Sequence, residues 1–202
     1  MSVPMAIVDY IPVALFLSGA LILQNDLYRE MSKGAFALFS AGTITVFMAG
    51  FFKATWKLLY AASICDFEAL NKCFFPMQTT GFVLAGLGAA AMVLFDQGKN
   101  RMYSVAAVPA VFKGTMVFVV LMVLGVAAMD ISLMVLAARR KKRAAIPLLI
   151  LSLVFVLGMG YLSSKDFADP AMNWLAEGVN VLGQGAFLAG ACLLRKRKVS
   201  MV

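Results

Sequence analysis

Six apolar runs, each about long enough to cross a bilayer as a helix, occupy most of the 202-residue chain. A crossing helix needs about 20 predominantly apolar residues. Only helices and closed barrels satisfy their backbone polar groups in lipid. With 62% hydrophobic residues, the chain lies well above the roughly 45–50% of a soluble domain. The expected fold is therefore all-α: a single polytopic transmembrane bundle of six spans with short loops.

The spans read as residues 5–23, 34–59, 77–95, 114–138, 145–162 and 171–194. Between the second and third, Ile64, Phe67, Leu70 and Phe74 recur at helical spacing against Asp66, Glu68, Asn71 and Lys72. This predicts an amphipathic interfacial helix over 63–75, ended by Pro76. The stretch from Tyr103 to Ala138 is too long for one crossing, about 54 Å if helical. The basic run at its far end places the span at 114–138 and leaves Val105–Phe112 as an interfacial lead-in. The other division puts the crossing at Tyr103–Gly125 and a surface helix at Met129–Ala138. No cleavable signal sequence is evident, and the first run reads as a retained helix.

The net charge of +8 comes mainly from Arg139–Arg143 and Arg195–Lys198, each directly after an apolar run. Basic residues there anchor topology, so nucleic acid is not an expected partner. If helices alternate, Lys53, Lys57, Lys72 and both basic runs share one side. Arg29, Lys33, Lys99, Arg101, Lys113 and Lys165 share the other. The first group is the larger, so both termini are expected in the cytoplasm, with the protein in a plasma or inner membrane. Cys65, Cys73 and Cys192 then fall on the cytoplasmic side as plain thiols. Histidine is absent, which removes His-based zinc and haem ligation and every His-assisted nucleophile. No cofactor and no metal site is expected.

Ionisable and amide groups within spans are the best pointers to function, because lipid cannot solvate them. Asn173, Glu177, Asn180 and Gln184 fall within a sector of about 60° on the sixth span and extend about 16 Å along it. They read as a ligand-binding wall, or else as a polar network joining helices. Lys113, expected at similar depth to Glu177, completes the candidate site. Asp130 is expected to pair with Lys53 at matched depth, with Asp9 as the competing partner of Lys53. Lys53 and Lys57 also suit snorkelling to headgroups. Gly81, Ala85, Gly88 and Ala89 form a small-residue face for close helix packing, and Gly183, Ala186 and Gly190 a second. A near-repeat, Phe52-Lys53-Ala54-Thr55-Trp56 and Phe112-Lys113-Gly114-Thr115-Met116, reads as coincidence in so Phe- and Ala-rich a chain.

These features favour a small-solute transporter or membrane solute-binding subunit. The competing reading is a non-catalytic assembly, sensor or scaffold subunit. A lipid-modifying enzyme lacks support, with no His base, metal cluster or nucleophile motif. The bilayer is the one partner the sequence requires. A small-molecule or ion ligand, and a second copy or another membrane chain, are the others such a chain can take.

Overall fold

The computed structural model describes residues 2–95, 115–162 and 170–196, and these residues form helices with no strand. They are α1 (Val3–Val8), α2 (Tyr10–Leu27), α3 (Lys33–Ala61), α4 (Glu68–Lys72), α5 (Phe74–Leu94), α6 (Thr115–Arg139), α7 (Ala145–Leu162) and α8 (Pro170–Leu194). The six long helices match the six expected spans. The first is broken at Asp9. Pro12 supplies no N–H for the Val8 carbonyl, and its ring crowds that group.

α6 runs unbroken from Thr115 to Arg139, through the stretch that the other division splits between a crossing ending at Gly125 and a surface helix at Met129–Ala138. The lead-in at Val105–Phe112 lies outside the described residues. The interfacial helix is shorter than expected. Only Glu68–Lys72 is helical, and the flanking Ile64 and Phe67 are exposed. Pro76 does not end it. Pro76 sits in the first turn of α5, where a missing N–H costs nothing.

Helices α2, α3, α5, α6, α7 and α8 pack in that order into a closed ring. Small residues let α3 and α5 approach closely. A Cβ added at Gly81 would lie 2.7 Å from Val46 Cγ2, and one at Gly88 only 2.6 Å from the Phe39 nitrogen. Ala85 and Ala89 are fully buried on the same face. Gly183 and Gly190 of α8 likewise pack on Phe155 and Leu149 of α7. Leucine, isoleucine and valine side chains such as Leu21, Ile44, Leu87, Leu124, Ile150 and Leu182 cover the outer surface, as suits a bundle whose solvent is lipid.

The ring does not alternate throughout, contrary to the expected topology. Thr79 donates a hydrogen bond to the Phe118 carbonyl (2.9 Å), Gly86 packs on Gly125, and Arg139 reaches the Val93 carbonyl (3.0 Å). Positions rise together along α5 and α6, so these helices are parallel. α8 is parallel to α2 in the same way: Phe16 stacks on Phe187 (5.4 Å between centroids), Gly19 packs on Phe187 and Leu188, and Asp26 accepts from the Lys196 backbone (3.0 Å).

The bundle is thus two up-down-up units of the same sense, α2-α3-α5 and α6-α7-α8. Each has a five-residue turn between its first two helices, at 28–32 and 140–144. The first helix of each unit packs on the last of the other, through Gly19 against Phe187 and Gly125 against Phe82. This reciprocity gives an approximate two-fold axis along the bundle, the arrangement of parallel repeats. The near-repeated pentapeptide does not mark it. Phe52–Trp56 lies late in the second helix of one unit, whereas Phe112–Gly114 lie outside the described residues.

The ends of the bundle follow from these directions. One end, called the basic end, gathers the ends of α2, α5, α6 and α8 with the starts of α3 and α7. The other, the open end, gathers α1, α4 and the remaining termini. The start of α1 and the finish of α8 therefore lie at opposite ends of the bundle, where alternating helices would set them at the same end. Cys65 and Cys73 sit near the open end and Cys192 near the basic end, so the three thiols do not share a side either.

At the basic end a partly buried ion network ties α2, α6 and α8. The Arg140 guanidinium pairs with Asp26, donates to Glu30 (2.6 Å) and caps the Leu194 carbonyl (3.0 Å), while Lys196 also pairs with Glu30. Burial alone would raise the Glu30 carboxyl. Hydrogen bonds from Lys196 and Arg140 outweigh it and hold that group below its ordinary value.

Candidate functional site

Asp9, at the junction of α1 and α2, keeps helical dihedrals and places its carboxylate on the cavity wall near the open end. Opposite it, the α8 stripe presents Asn173, Glu177, Asn180 and Gln184 along one face, as the 100° helical step dictates. α3 brings Lys53 and Lys57, one turn apart. α5 adds Gln78 and the aromatic pair Phe74 and Phe75. Together these line an axial cavity of about 590 Å³. Met122 of α6 and Val156 and Met159 of α7 complete its wall, so all six long helices contribute. The volume lies within the roughly 300–1,000 Å³ of small-molecule sites.

Toward the open end the wall carries the half-buried Trp56 and Asn71. Toward the basic end it closes on Phe16, stacked on Phe187 and edge-on to Phe82 (5.9 Å). Below these rings Leu23, Leu27, Leu133 and Leu194 form a fully buried apolar plug. The Arg140 network caps that plug.

Among the described residues four charged side chains line the cavity: Asp9, Glu177, Lys53 and Lys57. Lys57 Nζ lies 2.5 Å from Asp9 Oδ2. The Asp9 and Glu177 carboxyls are neighbours that interact electrostatically. Glu177 is buried, and its Oε1 has no hydrogen-bond partner among the described residues. Lys53 makes no ion pair among the described residues. Its ammonium stands 3.9 Å from the Phe74 ring centroid and 5.8 Å from that of Phe75.

The structure brings together four of the five expected ligand-site residues, Asn173, Glu177, Asn180 and Gln184, on one cavity wall. The fifth, Lys113, lies outside the described residues. The expected pairing of Lys53 with Asp130 is not formed, and neither is a direct ion pair between Lys53 and Asp9. Asp130 is fully buried on α6, away from the cavity, with Ser152 of α7 as its polar neighbour. Both carboxylate oxygens nevertheless lie outside hydrogen-bond geometry. The reason is direction. Depths matched only if α6 started at the end where α5 finishes. Because α6 runs parallel to α5, Asp130 sits toward the basic end and Lys53 toward the open end. Asp9 selects Lys57 instead, one turn further along α3.

Sequence reasoning missed Lys57, Gln78 and the aromatic pair as cavity residues. The spacing of Lys53 and Lys57 carried a usable signal, since an i, i+4 pair shares a face. Snorkelling explained both lysines equally well. The acidic partners of Arg140 carried no signal, because alternating helices would set Asp26 and Glu30 on the far side. Comparison with protein-family models, with curated proteins and with solved structures found no match.

Proposed function

We propose that this integral membrane protein binds a small polar solute in its axial cavity and passes it between the two ends of the bundle. The observation that carries the reading is the wall: six helices from two parallel units surround one cavity, with charged and amide groups toward one end and an aromatic plug toward the other. A site at the interface of repeats, near mid-membrane, is what alternating access requires. Parallel units can rock against each other about such an axis. Among the described residues the basic end carries Arg29, Lys33, Arg139–Arg143, Arg195 and Lys196, whereas the open end carries Lys53, Lys57 and Lys72. The positive-inside rule then faces the basic end to the cytoplasm and the cavity mouth outward.

The scaffold reading would use the α8 stripe as a dry polar seam, fully bonded to its neighbours. The unpartnered Glu177 oxygen and the cavity beside it favour solute binding instead. The test is a melting screen of purified protein in lipid nanodiscs against small polar solutes. At least one solute should raise the melting temperature of the wild type and fail to raise that of Glu177→Gln, whose unliganded melting stays close to wild type. If no solute shifts melting, and a cysteine at Gln184 resists small thiol reagents from both sides, the cavity is closed to solutes and the scaffold reading takes over.

A further inference from the structure

We infer that the axial cavity takes a compact zwitterion, with the solute's anionic group at Lys53 and its cationic group at Glu177. This rests on the solute-binding reading above and names the class of solute.

Among the described residues two lysines and two carboxyls line the wall, so the site offers both a cationic and an anionic partner to one solute. Those four groups are not paired off two by two. Lys57 serves Asp9, and Asp9 stands beside Glu177, so one ammonium faces two carboxyls. The leftover acceptor is Glu177 Oε1, buried and without a partner. A second cation beside the carboxyl pair is the missing complement. The leftover donor is Lys53, whose ammonium rests on the Phe74 ring. A cation–π contact is worth about 0.5–2 kcal/mol, and a charge-assisted hydrogen bond to a carboxylate is the stronger interaction. Lys53 and Glu177 feel each other electrostatically across the cavity. They therefore present one donor and one acceptor to the same small solute. Asn180 and Gln184 supply neutral donors and acceptors along one wall. Phe16, Phe47 and Phe82 offer an apolar surface to a side chain.

The protein has two tryptophans. Trp56 lines the cavity, while Trp174 is exposed at the start of α8. Trp174→Phe protein in nanodiscs thus leaves Trp56 as a single reporter. The probes are glycine, leucine and phenylalanine as free zwitterions, each with its amide (cation only) and its N-acetyl derivative (anion only), and glucose as a neutral polar control.

At least one zwitterion should shift Trp56 emission with an affinity about tenfold or more above its own amide and N-acetyl derivative, the loss expected for one charged hydrogen bond. Lys53→Met should bring the zwitterion down to the level of its amide and leave the amide unchanged. Glu177→Gln should bring it down to the level of the N-acetyl derivative. Should Lys53→Met fail to fold, Lys53→Arg keeps the cation and should keep the preference for the zwitterion over the amide. If an amide, an N-acetyl derivative or glucose binds as tightly as the zwitterions, the zwitterion assignment falls and solute binding stands. If no probe changes Trp56 emission, the assignment falls as well, and the melting screen then decides separately whether the cavity binds any solute.

Discussion

Lys53 and Lys57 sit one helical turn apart, yet Lys57 holds a carboxylate and Lys53 holds an aromatic ring. That division separates the charges of the cavity and leaves Asp130 outside its lining, beside Ser152. If Asp130 and Lys53 do not interact, their substitutions should be independent. Asp130→Asn and Lys53→Met should therefore change melting free energy additively, within about 0.5 kcal/mol. A coupling of about 1 kcal/mol or more in the double-mutant cycle would restore the pair and contradict the direction assigned to α6. Asp130→Asn alone should be neutral or stabilising, because it removes a buried charge with no hydrogen-bond partner. The α8 stripe was legible residue by residue, since angular position follows from spacing alone. Its partners were not, because spacing within one helix says nothing of which helix stands opposite.

At the scale of elements, two contacts make separable predictions. The α3–α5 seam depends on backbone approach. Gly42→Ala would drive a methyl group into the Ala85 backbone, and such overpacking costs about 1–3 kcal/mol. Gly185→Ala meets nothing within contact distance. It should be neutral or stabilising by up to about 1 kcal/mol through helix propensity. Thermal melting of the two variants checks the contrast. Equal losses would mean that the seam is not where the structure puts it.

The α2–α6–α8 tie at the basic end depends on ionised Glu30, whose folded-state pKa lies below its ordinary value. A depressed pKa means the folded state binds its proton less readily than the unfolded chain. The resulting stability is present above the ordinary carboxylate range and is lost as pH falls through and below it. Melting temperature should drop on acidification in the wild type, and less steeply in Glu30→Gln. Equal slopes would remove Glu30 from the account. The helices themselves were legible because lipid demands long apolar runs. The shortened interfacial helix was not, since amphipathic spacing over 63–75 does not reveal that the chain from 62 to 67 is not helical.

For the whole molecule, the number of long helices could be read from the chain, but not their directions. Hydropathy is blind to direction, and alternation is only the default for helices joined by short loops. Here 20 residues separate α5 from α6. The two helices run parallel, so the chain enters α6 at the end opposite to where it left α5. That single change converts an alternating bundle into two like-oriented units around one cavity, brings Arg140 to Asp26 and Glu30, and separates Lys53 from Asp130. The most direct test places single cysteines at Arg29, exposed in one turn, and at Lys142, partly exposed in the other, in a variant lacking Cys65, Cys73 and Cys192. An impermeant thiol reagent is then applied to intact right-side-out cells and to permeabilised cells. The parallel arrangement puts both turns at the basic end, so the two positions should label together. They should be protected in intact cells and reactive after permeabilisation. Labelling of Cys at 29 in intact cells with protection of Cys at 142 would mean alternating helices and would contradict the account.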